Sequence, residues 1–281
     1  MSIEFNTFGD LLHAVRGLPA MPIAVIDADE RHVLEGVCEA TEAGYIDPVL
    51  IGDEISIQNK LATIAGAKRF RILHAPAEDV MAEKGVELIE KGEVKALMKG
   101  HIHTDSFLHP ILLHHLQGKK RISHVFLADL KTYPKLLYIT DAAINISPDL
   151  LTKMHIVQNA VDFARLLGVE KPKVAALSAV EVINPAIAST VDAACIAKMA
   201  ERGQIKGAVV DGPLAFDNAI SASCTCPRSW VVAKKFSRRS SIHLTGRFSF
   251  MVTQGNRTSS GWNIIILGPK PPPMNGAITR T

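Results

Sequence analysis

The chain has 281 residues, of which 47% are hydrophobic and only 5% aromatic. That length suits one large domain or two of ordinary size, with cores of Ala, Val, Ile and Leu, as in α/β proteins with buried parallel strands. Four scattered cysteines exclude a disulfide framework, no apolar run approaches the roughly 18 residues of a membrane helix, and residues 1–10 lack a signal-peptide pattern. We therefore expect a cytoplasmic protein without a membrane partner.

Before residue 221, short β-branched runs alternate with helical patterns. The predicted strands, in chain order, are 22–26, 48–51, 71–74, 95–98, 122–127, 136–140, 173–177 and 207–210. Ser147-Pro148 predicts the start of a helix that ends at Gly168, and Asn184-Pro185 predicts the start of another that ends at Gly203. This alternation predicts a mostly parallel sheet with helices on both faces.

Charge divides sharply after residue 221. Residues 1–221 hold all 28 acidic residues and 22 of the 31 basic ones, whereas residues 222–281 hold nine basic residues and no acidic one. A basic arm could bind nucleic acid. The segment also contains Pro271-Pro272-Pro273 and no amphipathic helical pattern. We therefore interpret it as an aberrant tail with one possible strand, at Ile264–Leu267, and expect no nucleic-acid partner.

Small, polar and charged residues follow four of the predicted strands. These segments are Lys99–Asp105, Thr140–Asn145, Ser178–Glu181 and Asp211–Asp217. In open α/β sheets, ligands bind beyond the carboxyl ends of the strands. Ordinary caps and turns explain any one segment equally well, but caps alone do not require so many charged groups. Together the four segments favour a ligand site.

The first segment predicts an anion site. Gly100 would let the backbone approach a ligand, and Lys99 would supply positive charge. Thr104 follows where a helix begins, so its hydroxyl and the first free amides could meet a phosphate. A plain N-cap explains Thr104 as well, and both roles are compatible.

The spacing His101-Ile102-His103 also occurs in metal-dependent hydrolases, because alternate residues of a strand point the same way. The later strand ends supply Asp141 and Asp211 but no histidine, so we predict no metal site. The sequence contains neither G-x-G-x-x-G nor G-x-x-x-x-G-K-[ST]. Dinucleotide-binding and P-loop functions therefore lack their main support.

These strand-end segments resemble the phosphate acetyl/butyryltransferase family, closest to the butyryltransferase branch and to the transferase half of bifunctional enoyl-CoA hydratase/phosphate acetyltransferases. The similarity covers roughly residues 10–221. The blocks that carry it include Met98-Lys99-Gly100 leading to Thr104, D-A-A-x-N-I-x-P at Asp141–Pro148, and V-D-G-P-L-x-x-D at Val210–Asp217.

The resemblance implies an isocitrate-dehydrogenase-like architecture of two α/β domains with mostly parallel sheets and a cleft between them. It divides the chain into a first domain at 1–125, an incomplete second domain at 126–221 and the basic tail at 222–281. It also implies a homo-oligomer. In the reaction that it implies, acyl-CoA and inorganic phosphate give acyl phosphate and CoA, with CoA as a substrate and no other cofactor.

In the mechanism that the resemblance implies, a carboxylate takes the thiol proton of CoA, the thiolate attacks the acyl phosphate, and phosphate leaves against arginine and serine donors. The residues expected in the cleft for catalysis are Asp141, Asn145 and Asp211. Those expected to bind substrate are Lys99, Gly100, Thr104, Ser178, Gly212 and Pro213.

The tail departs from the family pattern. Similar proteins continue with S-P-V-A-G-x-A-D and D-L-x-x-G-N blocks and a Ser-Arg pair followed by an acid. Here Ser237-Arg238 is only a nominal pair, because no acid follows it. The abrupt change resembles a reading-frame shift and predicts impaired activity. Two alternatives stay open: a non-catalytic protein that binds CoA or phosphate, and another enzyme of the same fold.

Overall fold

The structure is a computed structural model. It describes residues 5–117, 121–131, 133–142 and 144–220, together with the backbone of three later strands. The helices are α1 Phe8–Val15, α2 Arg31–Glu42, α3 Glu54–Leu61, α4 Glu78–Glu90, α5 Thr104–Leu113, α6 Leu150–Leu166, α7 Ala188–Glu201 and α8 Phe216–Ile220. The strands are β1 Met21–Ile26, β2 Ile46–Gly52, β3 Arg71–His74, β4 Ala96–Lys99, β5 Val125–Ala128, β6 Leu137–Thr140, β7 Lys173–Leu177, β8 Val209–Leu214, β9 Trp230–Ala233, β10 Phe248–Phe250 and β11 Asn263–Ile266.

The first sheet has the strand order β11-β4-β1-β2-β3. Strands β4, β1, β2 and β3 are parallel, and β11 pairs antiparallel with the free edge of β4. Residues 23–26 of β1 are fully buried, because helices cover both faces of a parallel sheet and its central strand has no solvent side. The predicted α/β class with mostly parallel sheets is confirmed.

The second sheet has the order β10-β5-β6-β9-β7-β8. Strands β6, β9, β7 and β8 are parallel, β5 pairs antiparallel with β6, and β10 pairs antiparallel with β5. Strand β9, from the basic segment, lies between β6 and β7. The predicted strand at 264–267 is confirmed at 263–266, and Leu267 lies outside the described residues. Strands β9 and β10 were not predicted from the sequence.

Two predicted helix starts are wrong, although both predicted ends are correct. Helix α6 begins after Asp149 rather than after Ser147, because the Asp149 carboxylate accepts the amide of Thr152 at 2.7 Å and caps the helix there. Both helices end at glycines with φ of +87° and +75°, at Gly168 and Gly203. These residues take the left-handed conformation typical of helix C-termini.

Helix α7 begins at Ala188, not at Asn184-Pro185. The Asn184 carbonyl oxygen accepts the hydroxyl of Thr190 at 2.9 Å, and the Asn184 side chain accepts the amide of Ala186 at 3.0 Å. These bonds hold residues 184–187 in a turn before the helix, because an asparagine side chain competes with the helical backbone bonds.

Strand β8 continues past its predicted end at Val210. Asp211 and Gly212 therefore lie within the strand rather than after it. The register of β8 against β7 shifts between Ala175 and Leu177, which pair with Asp211 and Leu214. Strand β8 therefore has one residue more than β7 between these two pairs, and it is accommodated as a bulge.

The packing of α1 does not follow chain order. Phe8 and Leu11 pack against the hydrophobic cluster of the second sheet, and the Phe8 amide donates to the Asp129 carboxylate at 2.9 Å. The second sheet begins with β5 at Val125, close to the predicted boundary at 125/126. The division into domains stays a prediction, since α1 precedes the first sheet yet packs on the second.

Among the described residues, no helix has both the length and the apolar composition required to cross a bilayer. The longest of them, α6, has 17 residues.

Candidate functional site

Lys99 lies at the carboxyl end of β4 and is buried, with 9% of its surface exposed. In the described part of the chain, no hydrogen bond or ion pair joins its side-chain ammonium group to another residue. Burial lowers its pKa below 10.5 as the largest effect, while the charges of Asp27 and Glu78 act in the opposite direction. A buried ammonium group without a partner is costly, so the site favours an incoming anion.

Gly100 lies against the end of β1. Its amide donates to the Ile26 carbonyl at 2.8 Å, and a Cβ atom at this position would be 2.0 Å from the carbonyl oxygen of Asp27. A glycine is therefore required at position 100 because the backbone lies so close to the end of β1. Direct contact of Gly100 with a substrate stays a prediction.

Asp27, at the end of β1, is a buried carboxylate that was not among the predicted site residues. It is 7% exposed and has φ of +59°, a conformation uncommon for any residue but glycine, asparagine and aspartate. Burial, followed by a hydrogen bond with Asp29, raises its pKa from 3.8 to about 6. The segment Asp27-Ala28-Asp29 directly follows β1. The rule that ligands bind beyond the carboxyl ends of strands would therefore have identified Asp27 and Asp29.

The raised pKa predicts how Asp27 affects stability. Because the folded-state pKa lies above the ordinary value, folding favours the protonated form. Its contribution to stability is complete below pH 3.8 and is lost as the pH rises through 6. Asp27→Asn removes this loss and keeps a residue that tolerates positive φ. The difference in unfolding free energy between the variant and the unchanged chain should therefore grow, in favour of the variant, by on the order of 1–2 kcal/mol from pH 4 to pH 8.

Denaturant unfolding at the two pH values measures this gain. Asp47→Asn, at an exposed carboxylate on β2, serves as the control. Equal gains in the two variants would contradict the interpretation of Asp27.

Helix α5 begins beside these residues, and a carboxylate from another helix caps it. Its N-cap residue His103 makes no side-chain cap. Instead, Glu78 in the first turn of α4 accepts the His103 amide at 3.3 Å and contacts His103 Nδ1 at 2.7 Å. Burial is the largest effect on the Glu78 pKa and raises it, but hydrogen bonds from His103 and Ser106 outweigh burial and lower the pKa overall.

Thr104 is the first helical residue of α5, as predicted, and is not the N-cap. Glu78 was not predicted from the sequence, because it lies 25 residues before its partner His103 on a separate helix. No local pattern marks a contact of that kind.

Asp141 and Asn145 are brought together after β6. The Asp141 carboxylate accepts the amides of Ile144 at 3.1 Å and Asn145 at 3.2 Å, and the Asn145 side chain donates to it as well. The same Asn145 amide group also donates to the Ile122 carbonyl at 3.0 Å. These bonds hold Ile144 and Asn145 against the Asp141 side chain, so Asp141 shapes this loop. Its catalytic role stays a prediction.

The loop after β6 belongs to the second sheet but packs on the first. Ile144 packs against the hydrophobic cluster that contains Ile102 and Phe107. Those two residues flank the start of α5. The packing therefore connects the Asp141–Asn145 turn with the side of the first sheet that carries Lys99.

Ser178, Gly212 and Pro213 lie together at the end of β7 and β8. The Ser178 amide donates to the Leu214 carbonyl at 2.9 Å, and the Ser178 hydroxyl is 2.8 Å from that of Ser189. A Cβ on Gly212 would be 2.6 Å from the Ala176 carbonyl oxygen, so close strand packing requires this glycine. Pro213 is buried.

Asp211 is exposed on β8, and its carboxylate accepts the Gly212 amide at 2.8 Å. The described residues contain no group of three or more His, Cys, Asp or Glu that could hold a metal ion. His101 and His103 are both exposed.

Comparison with known proteins identifies the family of the chain. A family model described as "Phosphate acetyl/butaryl transferase" matches residues 67–229. The phosphate acetyltransferase of Rhizobium meliloti is 46% identical over 219 residues, which cover 76% of this chain and 69% of that protein. The phosphate butyryltransferase of Clostridium acetobutylicum is 40% identical over 221 residues, which cover 77% of this chain and 73% of that protein.

A solved structure is similar as well. The branched-chain phosphotransacylase from Enterococcus faecalis V583 superposes with a TM-score of 0.63 at 27% identity, covering 76% of this chain and 79% of that one. Among the sequence relatives, the chain spans as little as 62% of the length of the phosphate acetyltransferase of Rickettsia typhi. On the family match and these relatives, the chain belongs to the phosphate acetyl/butyryltransferase family.

Proposed function

We propose that this protein is a phosphate acyltransferase that interconverts acyl-CoA plus phosphate with acyl phosphate plus CoA, and that its basic C-terminal segment impairs this activity. One observation carries the proposal. The similarity to phosphate acetyl- and butyryltransferases covers the segments that follow β4, β6, β7 and β8, and the family match ends at residue 229. The residues beyond that point contain no acid.

Arsenolysis tests this reaction. Arsenate takes the place of phosphate, and the acyl arsenate hydrolyses at once, so free CoA accumulates. Arsenate-dependent release of CoA from acetyl-CoA and butyryl-CoA supports the proposal. Its complete absence from a chimera with a relative's C-terminal region would contradict it.

Two groups of residues carry the proposed roles. On the first sheet, Lys99 and Thr104 bind phosphate or the phosphates of CoA, with Gly100 holding their loop against β1. The buried charge of Lys99, which has no partner among the described residues, supports this role. On the second sheet, the residues proposed to line the cleft are Asp141, Asn145, Ser178, Asp211, Gly212 and Pro213.

We expect Lys99→Ala to weaken the binding of inorganic phosphate about tenfold, because one charge-assisted contact is lost. Isothermal titration calorimetry on the purified chain measures this change. Lys95→Ala is the matched control, since Lys95 is exposed just before the same strand. Equal phosphate affinities for the two variants would count against the assignment of Lys99.

The second candidate function is a protein that binds CoA or phosphate without catalysis. The acid-free segment favours it, because no carboxylate follows the nominal Ser237-Arg238 pair. Phosphate binding that Lys99→Ala weakens, together with no arsenolysis by either the chain or the chimera, would identify such a protein.

We also propose that residues 222–281 result from a reading-frame shift. The loss of every acidic residue at a point inside a family block supports this origin. Translation of the coding DNA from codon 221 in the other two frames tests it. The D-L-x-x-G-N block should then appear, and its absence from both frames would refute the shift.

For the protein's setting, we propose a cytoplasmic homo-oligomer. Cysteine usage supports the compartment, and the family supports the assembly. Light scattering measures the assembly directly.

A further inference from the structure

A carboxylate of the chain already lies where the proposed anion would bind. Glu78 accepts the backbone amide of His103 at the start of α5, contacts the His103 ring at 2.7 Å, and forms a hydrogen bond with the side chain of Ser106. Its charge also acts on Lys99. The first amides of a helix and a nearby cation are the groups that bind phosphate in many proteins.

Lys99 gives an independent reason to expect an anion there. Its side chain is nine-tenths buried, and among the described residues no hydrogen bond or ion pair satisfies it. Glu78 interacts with this ammonium group only through its charge, without a direct ion pair. Lys99 therefore keeps its hydrogen-bonding capacity for another anion, whereas Glu78 already takes the amide of His103.

We propose that Glu78 is an internal competitor, and that an anionic phosphate group binds at Lys99 and the start of α5 by displacing the Glu78 carboxylate. The phosphate group belongs either to orthophosphate or to CoA. This inference rests on the proposed function and adds a residue that lowers the affinity of the same site.

The position of Glu78 allows the displacement. It is the first residue of α4, the preceding residue Ala77 makes no side-chain cap, and a third of the Glu78 side chain is exposed. The His103 side chain is 84% exposed. Glu78 can therefore rotate into solvent without opening the core. Binding then requires the loss of the Glu78–His103 contacts, and a retained carboxylate near the site repels the phosphate.

Phosphate titrations of the full chain test the competition. Glu78→Gln removes the charge but keeps an oxygen that can accept the His103 amide, so phosphate should bind about tenfold more tightly. Glu78→Ala removes the competing group as well and should also tighten binding. Asp79→Asn is the matched control: it makes the same change of charge at the next, exposed residue of α4 and should leave the affinity unchanged.

A parallel titration with CoA identifies the source of the phosphate group. If only phosphate affinity increases in the Glu78 variants, the site binds orthophosphate, and if only CoA affinity increases, it binds a phosphate of CoA. Unchanged or weaker binding of both ligands in both variants overturns the competition. In that case Lys99→Ala shows whether the phosphate site itself is correct. Weakened binding in this variant would support the proposed phosphate site without competition by Glu78, and unchanged binding would contradict the site as well.

Discussion

Turnover of acetyl-CoA or butyryl-CoA by the 281-residue chain should be at least about 10²-fold below the roughly 10 s⁻¹ of an ordinary enzyme. The reaction needs a base for the CoA thiol and donors for the departing phosphate. By resemblance, the family supplies both after residue 221, and here that region contains no carboxylate side chain. Loss of a general base alone commonly costs about 10²–10⁴ in rate.

Steady-state arsenolysis of this chain and of a chimera measures the effect. In the chimera, the C-terminal region of the Rhizobium meliloti relative replaces residues 222–281, and activity should return. An ordinary rate from the unaltered chain would contradict the prediction. It would indicate that a carboxylate of the described region, such as Asp27 or Asp141, takes the thiol proton.

Gly100→Ala should destabilise the fold by about 3 kcal/mol or more, because the new Cβ would lie 2.0 Å from the Asp27 carbonyl oxygen and 2.6 Å from that of Ile26. Both obstacles are backbone atoms at the end of β1, which cannot rotate away as a side chain can. Either the end of β1 or the Lys99–Gly100 segment therefore has to move. The melting temperature should fall by roughly 6–12 °C.

Gly92→Ala is the matched control. Gly92 has φ of +72°, and no atom lies within 4 Å of the place that a Cβ would take there, so alanine costs only the backbone strain of about 1–2 kcal/mol. Thermal unfolding of the two variants separates steric overlap from strain. An equal loss of stability in both would show that the Lys99–Gly100 segment does not pack as closely against β1 as the structure indicates.

Local patterns predicted much of the secondary structure. Strands β3 and β7 have the predicted bounds, since short apolar runs between turns are typical of parallel strands. Helix ends at Gly168 and Gly203 were also correct, because a glycine with positive φ stops a helix through its own backbone. The start of α6 was wrong, because Ser147 and Asp149 both suit an N-cap and the chain uses the later one.

The candidate site was only partly predictable. Lys99, Gly100, Asp141 and Ser178 lie at or just after strand ends, so the rule about carboxyl ends found them. Which of them meet depends on contacts between distant segments. The bond between Glu78 and His103 joins two helices, and neither residue alone indicates that a carboxylate occupies the start of α5.

The sequence by itself determined the α/β class, the family and the strand-end segments, because each depends on residue types over short stretches of chain. Tertiary structure decided the position of β9 between β6 and β7, the packing of α1 on the second sheet, and the placement of Glu78 beside His103. Strand order and helix packing follow from the total burial and backbone pairing of segments far apart in the chain. The free energy of each of those contacts depends on both segments that meet, so it cannot be predicted from the residues of one segment alone.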